Sequence, residues 1–180
     1  MRPIRLIMVA AIMSACLLTT STANARTEWV YDKDFGNVRS LEFDVMGFLW
    51  PFGASTHIGG AAWLGYPILE TGFIPLNDSL YLEGGAYIAY FNVDVGHDAT
   101  YDFLAVIPAV GARWNLHLTE QWTAFITGKI GFRIGFGAAA DNELVPSFTI
   151  GAIWEFSRAM FLRLETGNYG VLMAGVGFPL

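Results

Sequence analysis

Eight amphipathic strands closed into an antiparallel, up-and-down transmembrane β-barrel are the fold this sequence predicts, and three observations predict it. The first is residues 122–136. Trp122, Ala124, Ile126, Gly128, Ile130, Phe132, Ile134 and Phe136 alternate with Thr123, Phe125, Thr127, Lys129, Gly131, Arg133 and Gly135. A strand sends successive side chains to opposite faces. One face is therefore uncharged and bounded by aromatics, and the other carries two cations. The second observation is that this pattern recurs down the chain. The third is what is missing. Charged residues make up 14% of the 180 and aromatics 15%, yet no stretch holds the roughly eighteen uninterrupted apolar residues that a spanning helix needs. Only helices and closed barrels satisfy every backbone group in lipid.

The first residues read as an export signal. Arg2 and Arg5 precede a short apolar run at 6–18, and Ala23-Asn24-Ala25 is an A-x-A cleavage site. Cleavage is expected after Ala25. The alternatives are a retained amphipathic anchor, and lipidation at Cys16 after Met13-Ser14-Ala15. Cys16 is the only cysteine, so cleavage after Ala25 would exclude disulfides and thiolate chemistry. It would also leave eight bases against sixteen acids and move the formal charge from −6 to −8. No run of Lys or Arg remains to bind nucleic acid.

Residues 26–37 form a polar lead-in with Trp29 and Tyr31 at the membrane edge. The first strand is expected over 38–50, with Leu41, Phe43, Val45 and Leu49 opposite Glu42 and Asp44. Residues 51–54 turn the chain into a second, Gly- and Ala-rich strand over 56–66. Pro67, Gly72 and Pro75 then break regular structure across 67–78, a segment expected to fold back against the barrel end. The third strand covers 80–91, with Glu83 and Tyr87 opposite Leu82, Ile88 and Tyr90. A polar loop over 92–102 leads to the fourth strand at 103–116, where Arg113 opposes Trp114. Pro108 inside it predicts a bulge or kink. A turn at 117–121 enters the 122–136 strand, and a loop over 137–144 leaves it. The sixth strand covers 145–156, with Trp154 opposite Glu155. A turn at 157–158 leads to the seventh, where Met160, Leu162 and Leu164 oppose Arg163 and Glu165. The last covers 169–180.

Every strand charge lies opposite the apolar set of its own strand: Glu42, Asp44, Glu83, Arg113, Lys129, Arg133, Glu155, Arg163 and Glu165. A lipid-facing Lys or Arg at midplane costs about 2–4 kcal/mol, and an apolar face without charge is what that cost selects. A soluble barrel would invert the faces and cover its exterior with Lys, Glu and Asp. Here the polar face is thin in charge and rich in Gly, Ala, Thr and aromatics, which suits a narrow lumen. Eight strands leave an interior that side chains fill. The nine charges are expected to pair there as a plug, since an unpaired buried charge is prohibitive. Tyr90, Trp114, Trp122, Phe136 and Trp154 are the expected aromatic girdle.

The chain thus resembles the small eight-stranded bacterial outer-membrane barrels over residues 38–180. The resemblance rests on the export signal, the strand count and a final strand with alternating apolar residues. Leu172, Ala174, Val176, Phe178 and Leu180 match that class's assembly signal, although Leu180 replaces the usual terminal aromatic and Pro179 is unusual. The resemblance implies outer-membrane lipids and the barrel-assembly machinery as partners. It also directs the loops 92–102 and 137–144 outward toward any extracellular partner. Some barrels of this size modify lipids, so Ser55 and His57, with Glu42 and Asp44 on the preceding strand, are one candidate catalytic set. His97 with Asp94, Asp98 and Asp102 could surround a hard cation, but the spacing fits no known loop. A side-chain-filled lumen without enzymatic, metal or cofactor chemistry is the preferred reading.

Overall fold

The chain forms a closed barrel of eight antiparallel strands in up-and-down order, each bonded to its sequence neighbours and the last bonded to the first. The structure is a computed structural model, and it describes residues 41–50, 55–72, 74–94, 100–137, 142–168 and 170–180. The export signal, Cys16, the 26–37 lead-in, the start of the first expected strand, the 51–54 turn, His97 and Asp98 lie outside the described residues. The strands are β1 (Glu42–Trp50), β2 (Ser55–Leu69), β3 (Asp78–Asp94), β4 (Thr100–His117), β5 (Trp122–Phe136), β6 (Glu143–Ser157), β7 (Met160–Gly167) and β8 (Leu172–Pro179). No helix occurs among the described residues.

Period-two alternation determines which way each side chain points. On β5, Thr123, Phe125, Thr127 and Lys129 are buried, while Trp122, Ile126, Ile130, Phe132 and Phe136 are exposed. The same rule sends Glu42 and Asp44 inward from β1 and Val45 and Leu49 outward. The exterior is a belt of exposed aliphatic and aromatic side chains, and Glu42, Asp44, Glu83, Arg113, Lys129, Arg163 and Glu165 are buried on the inner face.

Three segments depart from the sequence reading. Residues 92–94 and 100–102 of the expected loop are strand: β3 and β4 stay paired up to Asp94↔Thr100. Asn92 Nδ2 donates to Asp102 Oδ1 across the pair at 2.6 Å, so polarity here marks solvated strand rather than loop. Pro67 does not end β2, which continues to Leu69 through a register shift between those two residues. Pro108 produces no bulge. The β4–β5 ladder skips Ile107 and Pro108 and resumes in the same register at Ala109↔Gly131, because the missing N–H removes a rung without adding a residue.

The rest of the difficult 67–78 segment closes onto the end where β1 begins and β8 finishes, the terminal end of the barrel. Gly72 N donates to Asp78 O at 2.7 Å, and Asn77, Asp78 and Ser79 are buried. Trp114 Nε1 donates to Asp78 Oδ2 at 2.7 Å. A side chain at Gly72 would run into the Asp78 carboxylate, so close approach fixes glycine there.

Inside, large side chains face glycines on the adjacent strand. Trp63 of β2 pairs with Gly85 of β3, whose added Cβ would lie 2.6 Å from Trp63 Cε3. Overpacking of this kind costs roughly 1–3 kcal/mol. Gly85→Val is therefore expected to lower the urea midpoint of the folded barrel, read by tryptophan fluorescence. Gly84→Val, on the outer face with open space around its Cβ, is expected to leave it unchanged.

Candidate functional site

The lumen is built in layers. Toward the end away from the termini lies an apolar cluster that includes Met46, Phe48, Trp63, Tyr87, Ile107 and Met173. Toward the terminal end lies a smaller one of Phe125, Ile153 and Phe161. Between and beside them sit seven buried ionic side chains: Glu42, Asp44, Glu83, Arg113, Lys129, Arg163 and Glu165.

Strand register brings these charges together. Following partners across the sheet, Glu42 pairs with Gly65, Gly65 with Glu83, Glu83 with Gly111, Gly111 with Lys129 and Lys129 with Ser147. Two glutamates and a lysine thus share one line around the wall, separated by glycines that leave room for their side chains. Arg113 enters from two residues along β4, and Arg163 crosses from the opposite wall.

Glu83 is the hub. Its carboxylate lies 3.0 Å from Arg113 Nη1, 2.8 Å from Lys129 Nζ and 2.7 Å from Arg163 Nη1. Arg113 also pairs with Glu42. Arg163 pairs with Asp44 at 3.0 Å and with Glu165 at 2.9 Å, and Thr149 Oγ1 donates to Glu165 at 3.3 Å. Aromatic faces complete the shell. Lys129 Nζ sits 3.9 Å from the Trp63 ring centroid, Arg113 4.6 Å from Tyr81 and Arg163 4.8 Å from Phe125. Rings of this kind attract desolvated cations electrostatically. Four carboxylates and three cations therefore pair away from water, one carboxylate in excess, and tie β1, β3, β4, β5 and β7 together through their side chains.

A second polar cluster stands at the terminal end. His117 Nε2 lies 2.9 Å from Ser79 Oγ and His117 Nδ1 3.0 Å from Thr123 Oγ1. A Ser–His contact is the geometry of an activated nucleophile, but Ser79 is fully buried and has no access to a substrate. The three residues join β3, β4 and β5 where His117 N also donates to Asn77 O at 2.8 Å. Sequence reasoning missed this cluster, since Ser79 and His117 both fell at the edges of expected strands.

The remaining expected site residues fall elsewhere. Arg133 is not in the network. It pairs at 2.8 Å with Glu143 near the far rim, with side chains 21% and 48% exposed. Glu155 is half-buried near the terminal-end turn, and its N–H donates to Gln121 O at 2.8 Å. Both have the right parity, but they lie too far along their strands to reach Glu83. Trp122 and Trp154 stack at 5.9 Å on the outer face at the terminal end, with Phe156 5.7 Å from Trp154. Phe136 and Tyr90 face outward toward the far end, although β3 continues past Tyr90. Leu172, Ala174, Val176 and Leu180 are exposed on β8's outer face, Phe178 is partly so, and Leu180 N donates to Leu41 O at 2.9 Å.

The Ser55–His57 set is not assembled with Glu42 and Asp44. His57 pairs opposite Trp50, at the other end of β1 from Glu42, and its ring packs 4.5 Å from Phe91. Among the described residues no group of His, Cys, Asp or Glu is arranged to hold a metal. No protein-family model matches the chain, and no curated protein sequence matches it.

Removing one partner of a buried ionic group leaves the others uncompensated, at a cost of about 3–5 kcal/mol. Glu83→Ala is expected to destabilise the barrel by about that amount in urea unfolding. The Glu83→Ala/Lys129→Ala double variant is expected to lose less than the sum of its single variants, because residues in one network couple by roughly 0.5–3 kcal/mol. Additivity would mean that the two do not interact.

Proposed function

We propose that this chain is an integral barrel of the bacterial outer membrane with a packed lumen, acting in a structural or surface-interaction role without catalysis. One observation carries the reading: the distribution of polarity is inside out. The buried interior holds the paired charges, while the exterior carries exposed Ile58, Leu64, Ile88, Ile126, Ile130, Phe148 and Ile150. A water-soluble barrel so arranged would expose a continuous apolar surface far beyond the few hundred Å² usual for monomers. In lipid, the same surface is the solvated one.

Dimensions support it. The 15 residues of β5, tilted by about 40°, rise roughly 35 Å, enough for an apolar band of about 25 Å and its aromatic borders. Trp122, Trp154 and Phe156 border the terminal end, and Tyr90, Tyr101 and Phe136 the far end. The termini and the tight 158–159 turn would face the periplasm. The β3–β4 hairpin, with 17 and 18 residues per strand, would project outward and present the 92–102 region to an extracellular partner, beside the 137–144 connection. Leu172, Ala174, Val176, Phe178 and Leu180 would be read by the assembly machinery.

A closed barrel resists detergent until heated. The membrane fraction is expected to show faster gel mobility unheated than boiled, with the protein in the outer membrane. No shift together with recovery in the soluble periplasmic fraction would overturn the reading. With the lumen closed by the Glu83 cluster, planar-bilayer recording is expected to show no large, stable conductance. A steady open channel would remove the packed-lumen part of the proposal.

A further inference from the structure

The wall of the barrel is uneven. At the terminal end the strands stop at similar levels, so differences in length accumulate at the other end. β3 and β4 have 17 and 18 residues, whereas β7 and β8 have 8 each. A tilted spanning strand needs about 9–11, so the β7–β8 hairpin stops short. Its neighbour does not: β6 stays paired with β5 as far as Arg133↔Glu143, while its pairing with β7 begins only at Thr149↔Gly167. From residue 143 to 148, β6 therefore has a strand on one side only.

That free edge is fitted for an apolar neighbour. Asn168 accepts from Phe148 N at 2.9 Å through Oδ1 and donates from Nδ2 to Pro146 O at 2.8 Å, so one amide side chain takes the place of a strand partner. Pro146 has no N–H to leave unpaired. Phe148 and Leu144, exposed on the outer face of this same stretch, carry the apolar belt above the end of β7.

Below the notch, the outer face holds a groove of about 490 Å³ that reaches up to Gly167. Trp114, Ile126, Phe148 and Ile150 form its sides, and Ala112 and Gly128 are the small residues between them. The volume lies within the roughly 300–1,000 Å³ of small-molecule sites. No charged side chain lines it, and the indole N–H of Trp114 is already committed to Asp78. Of the three threonines in the lining, Thr127 and Thr149 are buried and only Thr166 is exposed, so dispersion and apolar contact are the main means of recognition.

We infer that the groove and the notch above it form a binding site for one hydrocarbon chain of a membrane lipid, held on the outer face from Trp114 up to the Asn168-sealed edge of β6. This rests on the outer-membrane reading. The chain fills a concavity that loosely packed boundary lipid would leave void, and it covers the wall where the β7–β8 hairpin is too short to do so.

Native mass spectrometry of the barrel released from phosphatidylcholine nanodiscs tests the inference. The wild-type protein is expected to keep one phosphatidylcholine at collision energies that strip the rest. Ala112→Leu/Gly128→Leu, which fills the groove from outside and leaves the lumen untouched, is expected to lose that lipid. Gly84→Leu, on the same belt where an added Cβ meets open space, is expected to keep it. Equal retention by wild type and the groove-filled variant, or no retained lipid in wild type, would overturn the site. Heat-dependent gel mobility, measured on all three proteins, verifies that each is folded. Failure of the wild-type protein to enter nanodiscs at all would instead overturn the membrane reading.

Discussion

Everything inside this barrel depends on one carboxylate. Glu83 stands where three cations converge, each within 3.0 Å, and it joins Lys129 to the Arg113–Glu42 pair and to Arg163 with its partners Asp44 and Glu165. A carboxylate or ammonium taken out of water costs several kcal/mol even after relaxation, and the cost is offset only where attraction is strong and geometry close. An eight-stranded barrel is too narrow to hold water generously beside such groups. The cluster is therefore closed on itself: each cation meets at least one carboxylate, and each of Arg113, Lys129 and Arg163 also rests on an aromatic face.

The network in turn depends on the glycine at 111. Gly65 and Gly111 lie on the same register line as Glu42, Glu83 and Lys129. At Gly111 an added Cβ would lie 2.5 Å from Lys129 Cα and 2.7 Å from its Cγ, whereas at Gly65 it would only reach ordinary contact, 3.4 Å from a Glu42 carboxylate oxygen. Trp63 and Gly85 repeat the arrangement one layer further along. Weak strand propensity at these sites is thus the condition for a charged interior. The Gly- and Ala-rich β2 reads poorly as a strand for that same reason.

Strand number, strand faces and the inward direction of the lumen charges were legible because they follow from parity alone. Glu42, Asp44, Glu83, Arg113, Lys129, Arg163 and Glu165 all needed only a period of two. What parity cannot provide is position along the barrel axis, which depends on register between strands. That is why Arg133 and Glu155, correctly facing inward, were grouped with charges they do not reach. Register also hid Ser79, His117 and Thr123, which are distant in sequence and meet only once β3, β4 and β5 are aligned. The ends of β3 and β4 were missed for another reason: Asn92 and Asp102 read as loop residues, yet beyond the apolar belt a hydrogen-bonded ladder can continue with polar side chains on both strands.

Register also makes the outside unequal. A barrel whose strands shared one length would present the same wall all round. Here β6 outlasts β7, and the edge this leaves is answered by two residues that do not resemble each other: Pro146 withholds a donor, and Asn168 supplies an acceptor and a donor where β7 has ended. In hydrocarbon an open strand edge is prohibited because its backbone groups find no partner. The Asn168 amide takes up two of those groups and proline eliminates a third. The wall can then be short on this side without exposing those groups. On the proposed outer-membrane reading, a short wall beside a groove of small residues is a surface that hydrocarbon, rather than protein, would complete.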